Sequence, residues 1–220
     1  MSLQYIDIAP PDQHTASIIW LHGLGASGDD FAGIPAELRL GKHHGIRFLF
    51  PHAPAQAVSM NQGYVMPSWY DIFAISVGAE QDEQGIRDMQ VLVDELIHQQ
   101  IQAGIPSNRI VLAGFSQGGA MALHCGLRFE EPLAGILALS TYLPISHTVE
   151  DEIHAANRHI PIFWAHGSED TVVPMEMANK STEFLQHLDI AVDYRLYPMQ
   201  HSLCSREIIE IKQTIQTWLA

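Results

Sequence analysis

The chain has 220 residues, 47% of them apolar and 16% charged, with 11 basic against 25 acidic side chains and a net charge of −14. The composition is that of a globular protein and excludes a disordered one, and the length suits one domain, residues 1–220, around a single large core. A surface this acidic repels nucleic acid and anionic membranes, and no apolar run approaches the roughly 20 residues that span a bilayer.

Met1 to Pro11 holds no basic stretch followed by an apolar one, so no secretory signal is read there and a cytoplasmic location is the expectation. Cys125 and Cys204 lie outside any C-x-x-C pattern and are expected to be thiols in a reducing compartment.

In chain order, the first strand pattern is Ser17 to Leu21, followed at once by His22-Gly23-Leu24-Gly25. Ile46 to Phe50 is a second, ending at Pro51. A long segment from Ala55 to Gly78 reads as loop, rich in aromatic and thioether side chains. From Gln81 to Ala103, Ile86, Met89, Val93, Leu96, Ile97 and Ile101 make one apolar stripe on a helix, which Gly104 caps and Pro106 stops. Arg109 to Ala113, Gly135 to Leu139 and Ile160 to Ala165 are further short apolar runs. Such runs suit strands buried on both faces of a parallel sheet. Met175 to Leu188 reads as helix, the more alternating Val192 to Tyr197 as the last strand, and Ile208 to Leu219 as a final helix. The alternation predicts an α/β fold with a mostly parallel central sheet and helices on both faces.

Gly114-Phe115-Ser116-Gln117-Gly118-Gly119 falls between a predicted strand and an apolar helical run, the context that G-x-S-x-G requires. A sharp strand-to-helix turn there holds the serine in a strained backbone and projects its hydroxyl above the sheet. The competing reading is a glycine-rich turn whose serine merely caps the helix.

In this architecture the partners of such a serine follow it as acid, then histidine. After Ile160–Ala165 only His166, His187 and His201 remain. His166 precedes the acid loop and His187 falls inside a helix, whereas His201 lies in the loop after the last strand. Asp170 is the expected acid, with its neighbour Glu169 as the alternative. Ser116 would attack a carbonyl, His201 would take and return the proton, and Asp170 would orient and stabilise the imidazole. The tetrahedral oxyanion would sit between the backbone N–H groups of Gln117 and Leu24, the latter in the glycine loop after the first strand. His22 in that loop reads as a buried structural residue. His43-His44 and the His154/His159 pair match no strong ligand spacing, so no metal or other cofactor is expected.

The chain resembles the phospholipase/carboxylesterase family, which includes acyl-protein thioesterases. The resemblance covers nearly the whole sequence. It rests on Leu21–Phe31 (LHGLGASGDDF), Pro51–Pro54 (PHAP), Met66–Asp71 (MPSWYD), Gly114–Leu123 (GFSQGGAMAL), Leu139–Pro144 (LSTYLP) and His166–Pro174 (HGSEDTVVP). It implies the α/β-hydrolase fold, the Ser116–Asp170–His201 triad, the Leu24 and Gln117 amides as oxyanion donors, and short- to medium-chain acyl esters as substrates. Some relatives remove S-acyl groups from proteins, and the resemblance also suggests a weak homodimer. One departure is Gln200, where the family usually places glycine before the histidine.

Only 53 residues separate Ser116 from Asp170, too few for a large cap domain once the strands and helices are counted. The site is therefore expected to be open, with an apolar acyl groove walled by the 55–78 segment through Met66, Trp69 and Phe73. The leading reading is a carboxylesterase. Alternatives are an acyl-protein thioesterase or lysophospholipase and, from another class, a non-catalytic binding protein on a hydrolase fold.

Overall fold

The computed structural model describes residues 2–41 and 43–220. Among them are nine strands: β1 Tyr5–Ile8, β2 Ala16–Leu21, β3 Ile46–Pro51, β4 Ala55–Val58, β5 Tyr64–Pro67, β6 Ile110–Phe115, β7 Gly135–Leu139, β8 Ile162–Gly167 and β9 Val192–Tyr197. The α-helices are α1 Ile34–Leu38, α2 Glu83–Gln102, α3 Gln117–Arg128, α4 Val149–Glu152, α5 Met175–His187 and α6 Ser205–Trp218.

Seven strands form one sheet in the order β1-β3-β2-β6-β7-β8-β9. All neighbours run parallel except β1, which lies antiparallel on β3. Every residue of β2, β7 and β8 is buried, which is why these strands read as continuous apolar runs. Successive side chains point to opposite faces and feed two cores. Ile19, Leu21, Leu112 and Trp164 pack with α2 and α3 on one face. Ile18, Trp20, Val111 and Phe163 pack with Leu38 of α1 and Ile208, Ile211 and Ile215 of α6 on the other. The predicted mostly parallel sheet with helices on both faces is what the chain forms, and no large cap is inserted between Ser116 and Asp170.

The long helix begins where its chemistry says it should. Asp82 is the N-cap of α2 and accepts the Gly85 N–H at 3.0 Å, while Gly104 turns away at φ +93° past the C-terminus. Three strands were not expected. β1 is a half-exposed tetrad at the sheet edge, and β4 pairs antiparallel with β5 inside the segment read as loop. Gln62 and Gly63, both at positive φ, close that hairpin. No helix among the described residues is long and apolar enough to cross a membrane. Cys125 is buried, Cys204 is half-buried, and both are free thiols.

Candidate active site

Ser116 sits in the turn between β6 and α3 at φ 56°, ψ −121°, a conformation L-residues rarely adopt. The surrounding backbone holds it there. Its N–H donates to the Leu139 carbonyl of β7 at 2.8 Å, and its carbonyl accepts from Thr141 Oγ1 at 2.7 Å and Ala120 N at 3.1 Å. The flanking glycines are dictated by close approach. A Cβ on Gly114 would fall on the Gly118 carbonyl, one on Gly118 would meet the Leu21 and His22 carbonyls, and one on Gly119 would press against Thr141. Ser116 makes no side-chain capping bond, so the plain N-cap reading fails and its hydroxyl is left for the cavity that the residue lines.

His201 occupies the loop between β9 and α6, and its Nδ1 lies 2.7 Å from Asp170 Oδ2. The Asp170 side chain is fully buried, and its other oxygen accepts the N–H groups of Val172 and Val173, both at 2.9 Å. An ionised carboxylate only accepts, so Nδ1 of His201 carries the proton and Nε2 is left as an acceptor. The imidazole also packs on Phe115, with ring centroids 4.7 Å apart. Glu169, the alternative acid, is exposed, and its backbone N–H donates to Met199 and ties the two loops together. His166 is buried beneath and donates from Nε2 to the Val173 carbonyl at 2.9 Å, with burial lowering its basicity. It fixes the acid loop. Gln200 adds only an exposed side chain, and its φ is not positive, so the loop turns without the glycine usual in the family.

The glycine loop after β2 is braced from below. His22 donates from Nδ1 to the Gly23 carbonyl at 2.7 Å and accepts the Ala53 N–H on Nε2 at 3.0 Å. Both nitrogens are used, and burial pushes its pKa down, so it stays neutral and structural. Trp69 donates its indole N–H to the His22 carbonyl at 2.7 Å, and Gly25 N–H donates to the Pro67 carbonyl at 2.8 Å. A Cβ on Gly23 would lie 3.4 Å from Ser116 Cβ, which measures how close the loop comes. The Gln117 side chain completes the brace. It accepts the Trp69 N–H at 3.0 Å and donates to the Tyr70 carbonyl at 2.7 Å, a role its sequence position did not reveal.

Ser116, His201, Leu24 and Gln117 open on one cavity of about 360 Å³. Its walls are mostly apolar, with Phe31, Phe115, Tyr142 and Val172 among them. Larger grooves beside α6 hold none of these four residues. The 55–78 segment does wall the cavity, but through Met60, Ile72 and Ile75, not through Met66, Trp69 and Phe73. Trp69 is only 1% exposed because its hydrogen bond to His22 draws it under the loop. Met66 packs instead near Gly25 and accepts from Asn61, and Phe73 stays exposed on the surface.

Comparison with known proteins matches residues 5–219 to the model of the phospholipase/carboxylesterase family. The chain belongs to the phospholipase/carboxylesterase family. Acyl-protein thioesterase 1 of Cryptococcus neoformans is 38% identical over 235 residues, spanning 99% of this chain and 97% of that protein. Acyl-protein thioesterase 1 of Neurospora crassa is 40% identical over 209 residues, spanning 91% and 85%. Among solved structures, Arabidopsis thaliana SOBER1 superposes with a TM-score of 0.90 at 30% identity, covering 94% of this chain and all of that one. Zea mays acyl-protein thioesterase 2 gives 0.88 at 25% identity, with 99% of each chain covered. The fold is thus that of the α/β-hydrolases, and this family member is an esterase- or thioesterase-type serine hydrolase.

Proposed function

We propose that the chain removes acyl groups from thioesters, S-acylated proteins among them, through an acyl-serine on Ser116. His201 Nε2 takes the Ser116 proton as Oγ attacks the acyl carbon, and Asp170 stabilises the imidazolium through Nδ1. The oxyanion is held by the N–H groups of Leu24 and Gln117. Collapse of the tetrahedral adduct breaks the carbon–sulfur bond, and the leaving thiolate receives the proton from Nε2. Water then attacks the acyl-serine by the same route, releasing the carboxylic acid and free Ser116.

The observation that carries this reading is the shared cavity, in which Ser116 and a carboxylate-oriented His201 meet an apolar wall. The thioester preference is supported by the two relatives named acyl-protein thioesterase at 38% and 40% identity. Oxygen esters use the same machinery and form the second reading, favoured by the family's carboxylesterase members. The test is kcat/KM on matched oxygen and sulfur esters of one acyl group, together with an S-acylated peptide. A sulfur-ester and peptide preference of tenfold or more is expected. Equal or better turnover of the oxygen ester, with the peptide untouched, refutes the thioesterase reading and leaves a carboxylesterase.

A further inference from the structure

The acyl cavity has a neighbour. A second cavity of about 280 Å³ lies between the 76–81 segment and α5, lined by Val77, Gln81, Leu143, Met177 and Phe184. Tyr142 belongs to the walls of both cavities. It follows β7 and is only 6% exposed. Its hydroxyl lies 2.8 Å from that of Tyr70, which is 1% exposed. Tyr70 is itself pinned, since its carbonyl accepts from Gln117 Nε2 at 2.7 Å and from Ser68 Oγ at 2.6 Å. Tyr142 therefore cannot swing aside without stranding two buried hydroxyls, which is costly in an apolar setting.

We infer that Tyr142, locked by Tyr70, is the partition that ends the acyl cavity and sets the longest acyl chain accepted, and that the second cavity takes the distal carbons once the partition is removed. This rests on the acyl-hydrolase reading above. A cavity of about 360 Å³ is near the lower end of ligand pockets, which run from about 300 to 1,000 Å³. A chain longer than the cavity must leave its last methylenes in water. Each methylene that finds an apolar wall is worth about fourfold in affinity, so the boundary appears as a break in a chain-length series. The second cavity offers Val77, Leu143, Met177 and Phe184 to the distal end of an alkyl chain, and of its polar side chains Gln81 and Ser181 already accept the Ile145 and Leu143 N–H groups. Its one cationic side chain, Lys180, is mostly exposed and already paired with Glu176 at 3.0 Å.

The experiment is kcat/KM for straight-chain acyl thioesters from four to sixteen carbons with one leaving group. The readout is the long-to-short ratio and the chain length at which the rise stops. For the native chain the rise should stop at medium length. Tyr142→Ala should move the break several carbons longer and raise the long-to-short ratio at least tenfold. Tyr70→Phe, which removes only the lock, should move it less. Ser76→Trp added to Tyr142→Ala should refill the second cavity and bring the break back. Tyr142→Leu serves the same purpose if the alanine variant does not fold. A break that stays in place in folded Tyr142 variants, or one that Ser76→Trp leaves unmoved, overturns the partition. If the native chain turns over no acyl ester of any length, the hydrolase reading fails instead, and the two failures are distinct.

Discussion

Gly118→Ala isolates the part of the account that depends on backbone placement alone. An added Cβ would stand 2.5 Å from the His22 carbonyl oxygen and closer still to that of Leu21. A carbon–oxygen contact of this kind settles at about 3.3 Å, so α3 and the end of β2 must part by about 1 Å. The Gln117 amide opens α3, and the loop that carries the Leu24 amide leaves from the end of β2. Misplacing a reacting group by about 1 Å costs about 10²-fold, and losing one oxyanion donor costs about 10²–10³ in kcat. Overpacking of this size destabilises by about 1–3 kcal/mol, or a few degrees in Tm. The expected result is a folded protein with kcat down about 10²-fold and KM changed far less, because ground-state contacts to the acyl chain remain. The control is Gly33→Ala. Nothing lies within 4 Å of its added Cβ, and its φ of −77° suits alanine, so kcat should not move. The assay is steady-state hydrolysis of a short acyl thioester with thermal melts on the same preparations. A Gly118→Ala protein of native Tm and native kcat would refute the reasoning, as the two amides would then not need their present spacing.

Three more perturbations reach the braces around the site. Trp69→Phe keeps an aromatic ring but removes the N–H that satisfies the His22 carbonyl, so thermal melts should show a loss of at least about 1–3 kcal/mol, with kcat falling as the glycine loop loosens. Asp170→Asn should present an N–H to His201 Nδ1 while its oxygen keeps the Val172 and Val173 amides. That forces the proton onto Nε2, and kcat should drop about 10⁴-fold with little change in Tm. Glu207, capping the N-terminus of α6, is fully buried with Oε1 unpartnered, and burial raises its pKa from 4.5 to about 8. The folded state thus keeps a proton that the unfolded chain has lost, and this contribution to stability declines from about pH 4.5 to pH 8 by at most about 1.4 kcal/mol per pH unit. Glu207→Gln lacks that slope, so its Tm should gain on the native protein between pH 5 and 8, and parallel Tm curves would sink the idea.

The sheet was legible where both faces are buried. Gly135 to Leu139 was bounded to the residue because its apolar run coincides with a fully buried strand, whereas the half-exposed edge strand Val192 to Tyr197 was bounded by its alternating pattern before Pro198. β6 runs two residues further than its apolar pattern, since Gly114 and Phe115 still pair with Ala138 and Leu139 on β7. β1 and the β4–β5 hairpin escaped because short, half-exposed strands carry little periodicity; β1 is fixed by a partner more than 35 residues away, and the hairpin is fixed by the turn at Gln62 and Gly63. Ser116, Asp170 and His201 stood out as candidates because chain order constrains such a set; the structure places His201 against buried Asp170 and on the cavity that Ser116 lines, and leaves Glu169 exposed. The acyl wall was misassigned at Trp69 for a physical reason. Composition marks an aromatic segment but not the hydrogen bond to His22, 47 positions away, that turns the indole inward.

The central claim is that Ser116 is the residue acylated during turnover. A fluorophosphonate, which reacts with activated serines, followed by intact mass and peptide mapping, tests it directly. A single adduct on Ser116 is expected, lost in Ser116→Ala and strongly slowed in His201→Ala, with hydrolysis by Ser116→Ala down on the order of 10⁶-fold. A folded protein that hydrolyses acyl esters while Ser116 stays unlabelled, or a Ser116→Ala variant of native rate, would contradict it.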